Sequence, residues 1–146
     1  MRRVAVFAGA FDPIHEGHIS VLNAVMSLGK ADEIILLPST APPYRKPVIQ
    51  AKPLRELCKT AIRDLTGVRL ADEKPLKSGQ SIIEAIKAIK AKSGEAEYLY
   101  IVGADKLAGL LHWSKVPKLF RLCRFLDYPS AGDEAGEIIR FASTHG

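Results

Sequence analysis

Cysteine is scarce: Cys58 and Cys123 lie far apart, and neither stands in a Cys-x-x-Cys or other metal-ligand spacing. A disulfide framework and a cysteine-built zinc site are excluded on that count, and both thiols read as reduced core or near-core residues. Long apolar runs are missing too. The longest, Val4 to Ala10 and Ile34 to Leu37, fall far short of the roughly 20 residues that cross a bilayer. Arg2 and Arg3 are followed by no extended apolar region with a small-residue cleavage site, so the expected location is cytoplasmic, without a membrane partner. Aromatic residues make up only 7% of the chain, with a single tryptophan. They do not alternate with basic residues as a stacking groove requires, which argues against a nucleic-acid partner. Internal repeats and low-complexity tracts are absent as well.

What is present suits one α/β domain. The chain has 146 residues, 47% of them hydrophobic and 25% charged, enough to bury a continuous core. A net charge of +5 favours anionic partners, phosphorylated small molecules among them. Residues 3 to 8, Arg-Val-Ala-Val-Phe-Ala, form a β-favouring run ending at Gly9, as a buried parallel strand feeding a tight loop would. From Gly17 to Leu28 the apolar Ile19, Leu22, Val25 and Met26 recur at helical spacing, and Gly29 stands where that helix would end. Glu33 to Pro38 reads as a second buried strand, completing a βαβ crossover.

Residues 39 to 53 hold Pro42, Pro43, Pro47 and Pro53 between Tyr44, Arg45, Lys46 and Lys52. Prolines deny this stretch regular geometry, so it reads as a functional loop. Helical periodicity returns from Leu54 to Leu65, and Gly67 to Ala71 fits a short strand. Ser81-Ile-Ile-Glu84 offers a capping box for a helix along Ile82, Ile86 and Ile89. Tyr98 to Val102 makes the next strand, followed by Gly103-Ala-Asp105, an amphipathic Lys106 to Leu111, Trp113, and a helical pattern from Lys115 to Leu122. The tail from Ser130 shows no periodicity. Strand alternating with helix predicts a Rossmann-like doubly wound parallel sheet in a single domain.

Ligands of such sheets sit beyond the carboxyl ends of the strands, so residues 9 to 18 and 103 to 113 flank the expected crevice. Gly9 permits close backbone approach, Pro13 stiffens the turn, and Gly17 leaves space beside a helix start whose N–H groups and dipole attract phosphate. His15 and His18 share one face there, and both can donate to phosphate oxygens. Capping or metal binding by the two histidines is the alternative, but neither a cysteine nor a third nearby histidine completes a metal set. Asp12, before a proline, reads as a turn organiser.

The run Gly9-Ala-Phe-Asp-Pro-Ile-His-Glu-Gly-His18 resembles the phosphate-binding signature of the His-x-Gly-His nucleotidyltransferase superfamily. Leu37-Pro-Ser-Thr-Ala-Pro-Pro-Tyr-Arg-Lys46, Ser81-Ile-Ile-Glu-Ala-Ile86, Tyr100-Ile-Val-Gly-Ala-Asp-Lys-Leu-Ala108 and Trp113 resemble, in order, the nicotinate mononucleotide adenylyltransferases. The resemblance covers about residues 3 to 127. It implies transfer of AMP from ATP to nicotinate or nicotinamide mononucleotide, with release of pyrophosphate, in NAD biosynthesis. It assigns His15, His18 and Lys46 to catalysis and Gly9, Ala10, Phe11, Gly17, Gly103 and Asp105 to the ATP site. Tyr44, Arg45 and Trp113 fall to the acceptor, with the Trp113 ring stacking on the pyridine. Mg²⁺ is implied as a companion of ATP, held mostly through phosphates and water. Small nucleotides are the expected partners, and a homo-oligomer is compatible with the sequence.

Three departures accompany the resemblance. Ala10 stands where the family usually has Thr or Ser, and Tyr44 where it commonly has His. The chain also reaches Ser143-Thr-His-Gly146 without an Ile-Ser-x-Thr-x-x-Arg segment, which the family uses to hold ATP phosphates. Residues 1 to 146 therefore read as one nucleotidyltransferase-like domain without the C-terminal part of the family fold. A nucleotide-binding module with weak or no turnover is one alternative reading. An adenylyltransferase for another acceptor, such as pantetheine phosphate, is the other.

Overall fold

A computed structural model of the chain describes residues 1–9, 11, 14–38, 51–71, 82–103, 111–112, 116–128 and 140–142. These begin with β1 (Arg3–Gly9), α1 (Glu16–Ser27), β2 (Glu33–Pro38), α2 (Ala51–Ile62) and β3 (Val68–Leu70). They continue with α3 (Ile82–Ser93), β4 (Glu97–Gly103), α4 (Val116–Leu122), β5 (Arg124–Tyr128) and β6 (Arg140–Ala142). The strands form one six-stranded sheet ordered β3-β2-β1-β4-β5-β6. Neighbours among β1 to β5 pair in parallel, whereas β6 pairs antiparallel with β5.

Both faces of this sheet are covered, which is why its central strands are continuous apolar runs rather than alternating ones. Val4 and Val6 of β1 and Ile35 and Leu37 of β2 point into a core shared with Ile83, Ile86 and Ile89 of α3 and Leu119 of α4. Ala5, Phe7, Ile34 and Leu36 point the other way, toward Val21, Leu22 and Val25 of α1 and Cys58 and Ile62 of α2. Helices α1 and α2 thus serve one face and α3 and α4 the other. The sheet order reverses between β1 and β4, the crevice position for a ligand in a doubly wound fold. Phe7 lies in register with Ile101, and the two strands run on to end at Gly9 and Gly103.

Local chemistry explains the boundaries. Helix α1 stops in a Schellman turn: Gly29 adopts φ +67°, its N–H donates to the Met26 carbonyl at 3.1 Å, and Lys30 N–H donates to Val25 at 3.0 Å. Helix α2 begins at Ala51, three residues before the expected Leu54, with Pro53 inside its first turn. A proline costs little there because first-turn amides have no intrahelical acceptor. The expected loop therefore ends at residue 50, and residues 39–50 lie outside the described region. So do Ser81 of the expected capping box and the segment 104–110.

Two strands go beyond the expectation. Arg124–Tyr128 carries a charge at one end and Asp127 near the other, and Arg140–Ala142 is too short for periodicity to register. Their pairing is decided by the sheet edge offered by β4 and then β5. Among the described residues, no helix is long and apolar enough to cross a membrane. Both cysteines are free and buried, with burial pushing Cys58 up to about 11 and Cys123 up to about 12. Each is opposed only partly by a nearby cation, Arg55 and Lys90 respectively.

Candidate nucleotide site

The turn from β1 into α1 brings Gly9, Phe11, His15, Gly17 and His18 together. His15 is the N-cap of α1, with extended backbone at φ −140° and ψ 179°. Its Nδ1 accepts from the Gly17 N–H at 3.1 Å, and the His18 Nδ1 reaches back to accept from the His15 N–H at 3.0 Å. The two imidazoles form a reciprocal capping box, a task more often given to Ser or Thr with Glu. The His18 and Ile19 amides turn to the His15 carbonyl at 3.0 and 3.2 Å. The helix start is thus not the row of unpaired amides expected from the sequence, because the histidines already satisfy part of it.

That bonding sets the protonation pattern. A ring whose Nδ1 accepts a hydrogen bond carries its proton on Nε2, so in this geometry each imidazole presents an Nε2–H donor. Among the described residues neither Nε2–H has a hydrogen-bond partner. The rings stack at 3.8 Å between centroids and 23° between planes, which disfavours charging both. Burial, and then the neighbouring His15, lower the His18 pKa to about 4. His15 is exposed and His18 half-buried, so neither ring is lost in the core.

Gly17 is explained by the same ring. A Cβ on Gly17 would sit 2.9 Å from the His15 Cε1 and 3.0 Å from its Nδ1, so the imidazole can fold over the helix start only because no side chain is there. The space that the sequence assigns to Gly17 beside the helix start is bordered by the His15 ring.

Phe11 is the non-glycine residue with positive φ, at 46°, among the described residues. The left-handed region costs an ordinary side chain on the order of 1 to 2 kcal/mol. The Phe11 ring is only 3% exposed and meets Phe7 edge to face at 5.2 Å and His18 at 4.9 Å, both at 81°. A Cβ on Gly9 would touch its tip at 3.4 Å. Tyr128 extends the row, edge to face with Phe7 at 6.0 Å. Aromatic rings therefore floor the ends of β1 and β5 up to the histidines.

Gly103 ends β4 beside this junction, as expected. Ala10, Tyr44, Arg45, Lys46, Asp105 and Trp113 lie outside the described residues, as does Asp12. One group went unforeseen: Asp127, near the carboxyl end of β5, is 7% exposed, and its Oδ1 has no partner among the described residues. Its register opposite Val102 places it one step below Gly103. The only signal in the sequence is a carboxylate inside the apolar Phe125-Leu-Asp-Tyr128. Among the described residues no three His, Cys, Asp or Glu side chains cluster around a possible metal position.

The geometry can be set beside known proteins. The cytidylyltransferase-like family model matches residues 6–135. The probable nicotinate-nucleotide adenylyltransferase of Clostridium kluyveri is 33% identical over 139 residues, covering 90% of this chain and 66% of that protein. Its Clostridium botulinum counterpart is 31% identical over 141 residues, covering 93% of this chain and 70% of that protein. The structure of Plasmodium falciparum nicotinic acid mononucleotide adenylyltransferase complexed with NaAD superposes with a TM-score of 0.75 at 16% identity, over 90% of this chain and 66% of that one. That likeness shows a shared Rossmann-like fold. The chain spans about two thirds of the length of each. A family match over most of the chain, joined to this sheet order and this histidine-capped turn, places the protein in the cytidylyltransferase-like nucleotidyltransferases, within the nicotinate-nucleotide adenylyltransferase family.

Proposed function

We propose that the protein transfers AMP from ATP to nicotinate mononucleotide, or its nicotinamide form, and releases pyrophosphate. The observation that carries this reading is the stacked His15–His18 pair, whose Nδ1 atoms are held by backbone amides while two Nε2–H donors stay available beside the ends of β1 and β4. Two N–H donors held in place suit a polyphosphate, which brings its own charge and gains from fixed hydrogen bonds as the in-line displacement proceeds. The names of the relatives supply the acceptor class.

In this reading the mononucleotide phosphate attacks the α-phosphorus of ATP, the bond to the bridging oxygen breaks, and pyrophosphate departs. His15 and His18 hold phosphate oxygens near the reacting centre. Lys46, with Arg45, approaches from the proline-rich segment. Gly9, Ala10, Phe11, Gly17, Gly103 and Asp105 line the ATP side, and Tyr44, Arg45 and Trp113 the acceptor. A divalent cation such as Mg²⁺ would supply charge neutralisation, bound through phosphate oxygens and water rather than through a protein cluster.

The test is pyrophosphate release from the 146-residue chain with ATP and, in turn, nicotinate mononucleotide, nicotinamide mononucleotide and pantetheine phosphate. Release with a pyridine mononucleotide is expected. Release only with pantetheine phosphate changes the acceptor, and tight ATP binding without release makes the chain a nucleotide-binding module.

A further inference from the structure

Three contacts hold the His18 ring. His15 stacks on one face at 3.8 Å, the His15 N–H engages Nδ1 at 3.0 Å, and the Phe11 ring meets the imidazole edge to face at 4.9 Å. The first two both come from His15, whose own side chain is exposed. The third is anchored in the core: Phe11 is 3% exposed, is gripped edge to face by Phe7, and stands against Gly9. Its left-handed backbone is the conformation a bulky residue avoids, so the loop pays a conformational cost to keep that ring where it is. Such strain persists only where surrounding contacts over-determine it, and these contacts converge on His18.

We propose that Phe11 is a positioning residue, whose strained backbone and buried ring lock the plane of the His18 imidazole so that its Nε2–H faces the ATP phosphates. This rests on reading His18 as a phosphate ligand, and adds what aims it. An imidazole turning about its last side-chain bond swings Nε2 away from a fixed phosphate oxygen, and a misaligned hydrogen bond weakens steeply. Backbone and nitrogen contacts alone leave that rotation coupled to the exposed His15. The buried phenyl ring stops it.

The experiment compares Phe11→Leu with Phe125→Leu, a variant at a fully buried aromatic position on the opposite sheet face. Nitrogen-15 imidazole spectra of the full chain without nucleotide report the His18 tautomer, and calorimetry reports ATP affinity. Phe11→Leu is expected to mix the Nδ1–H and Nε2–H tautomers of His18 and to weaken ATP binding about tenfold, the scale of one charge-assisted hydrogen bond. Phe125→Leu is expected to lose stability but keep a single tautomer and an affinity within about twofold of wild type. Retention of one tautomer and the wild-type affinity by Phe11→Leu overturns the proposal. If that variant does not fold, the wild-type chain still decides, because Phe11 and His18 ring protons must show a direct through-space contact, and its absence overturns the assignment. Wild-type chain that binds no ATP defeats the phosphate reading separately, while the tautomer comparison still judges Phe11.

Discussion

His18 enters the fold as a neutral ring. Burial and the stacked His15 hold its pKa at about 4, against an ordinary value of 6.5. Below pH 6.5 an unfolded chain takes up a proton at this position that the folded chain refuses until about pH 4. The folded state is therefore favoured above pH 6.5, loses stability through the window down to about pH 4, and loses no more from this group below it. Urea denaturation at pH 7 and pH 5 is expected to show that loss in the wild-type chain and a smaller one in His18→Gln, which cannot titrate; equal losses would remove His18 as a source. The sequence showed the two histidines on one helix start, since a spacing of three residues needs no tertiary knowledge. It did not show that the His15 ring would cap the Gly17 amide and the His18 ring the His15 amide, because that depends on side-chain torsions set by Phe11 and by the missing Cβ of Gly17.

At the scale of the element, α1 is a helix whose start depends on a glycine. In Gly17→Ala the new Cβ would lie 2.9 Å from the His15 ring and push it off the cap. Losing a capping contact costs about 1 kcal/mol, whereas replacing glycine by alanine in a helix gains about as much, so the two nearly cancel in stability. The expected outcome is a denaturation midpoint close to wild type with ATP binding about tenfold weaker, the loss of one phosphate contact. Unchanged ATP affinity would mean that His15 does not touch the ligand. Helix ends and central strands were readable from such local signals: Gly29 announced the end of α1, and the apolar runs announced β1, β2 and β4. The start of α2 was misplaced because Pro53 was read as a breaker when it occupies the first turn. Strands β5 and β6 were not foreseen, because their signal is their partner rather than their composition.

For the molecule as a whole, the central strands carry the stability and their carboxyl ends carry the candidate site. Leu99 of β4 is fully buried, so Leu99→Ala is expected to lose about 2 to 5 kcal/mol, a large share of the roughly 5 to 15 that holds a domain folded. A ligand at a hundredfold excess over its Kd adds about 2.7 kcal/mol to the folded state. ATP at that excess should raise the melting temperature of wild type and Leu99→Ala alike, and should raise that of His18→Ala much less. Absence of any shift in the wild-type chain would deny a nucleotide site to the folded protein.

The sequence by itself determined the class of fold, the crossover that delivers the first strand into the Gly9 to His18 turn, and the placing of two histidines together at the start of α1. Those follow from periodicity and from residue types that are neighbours along the chain. Only the tertiary structure decided that both imidazoles are anchored at Nδ1, that Gly17 makes room for His15, that Phe11 packs against His18, and that Asp127 is buried near the carboxyl end of β5. Each of these depends on atoms brought together by packing across strands and turns, where distance in space has little to do with distance in sequence.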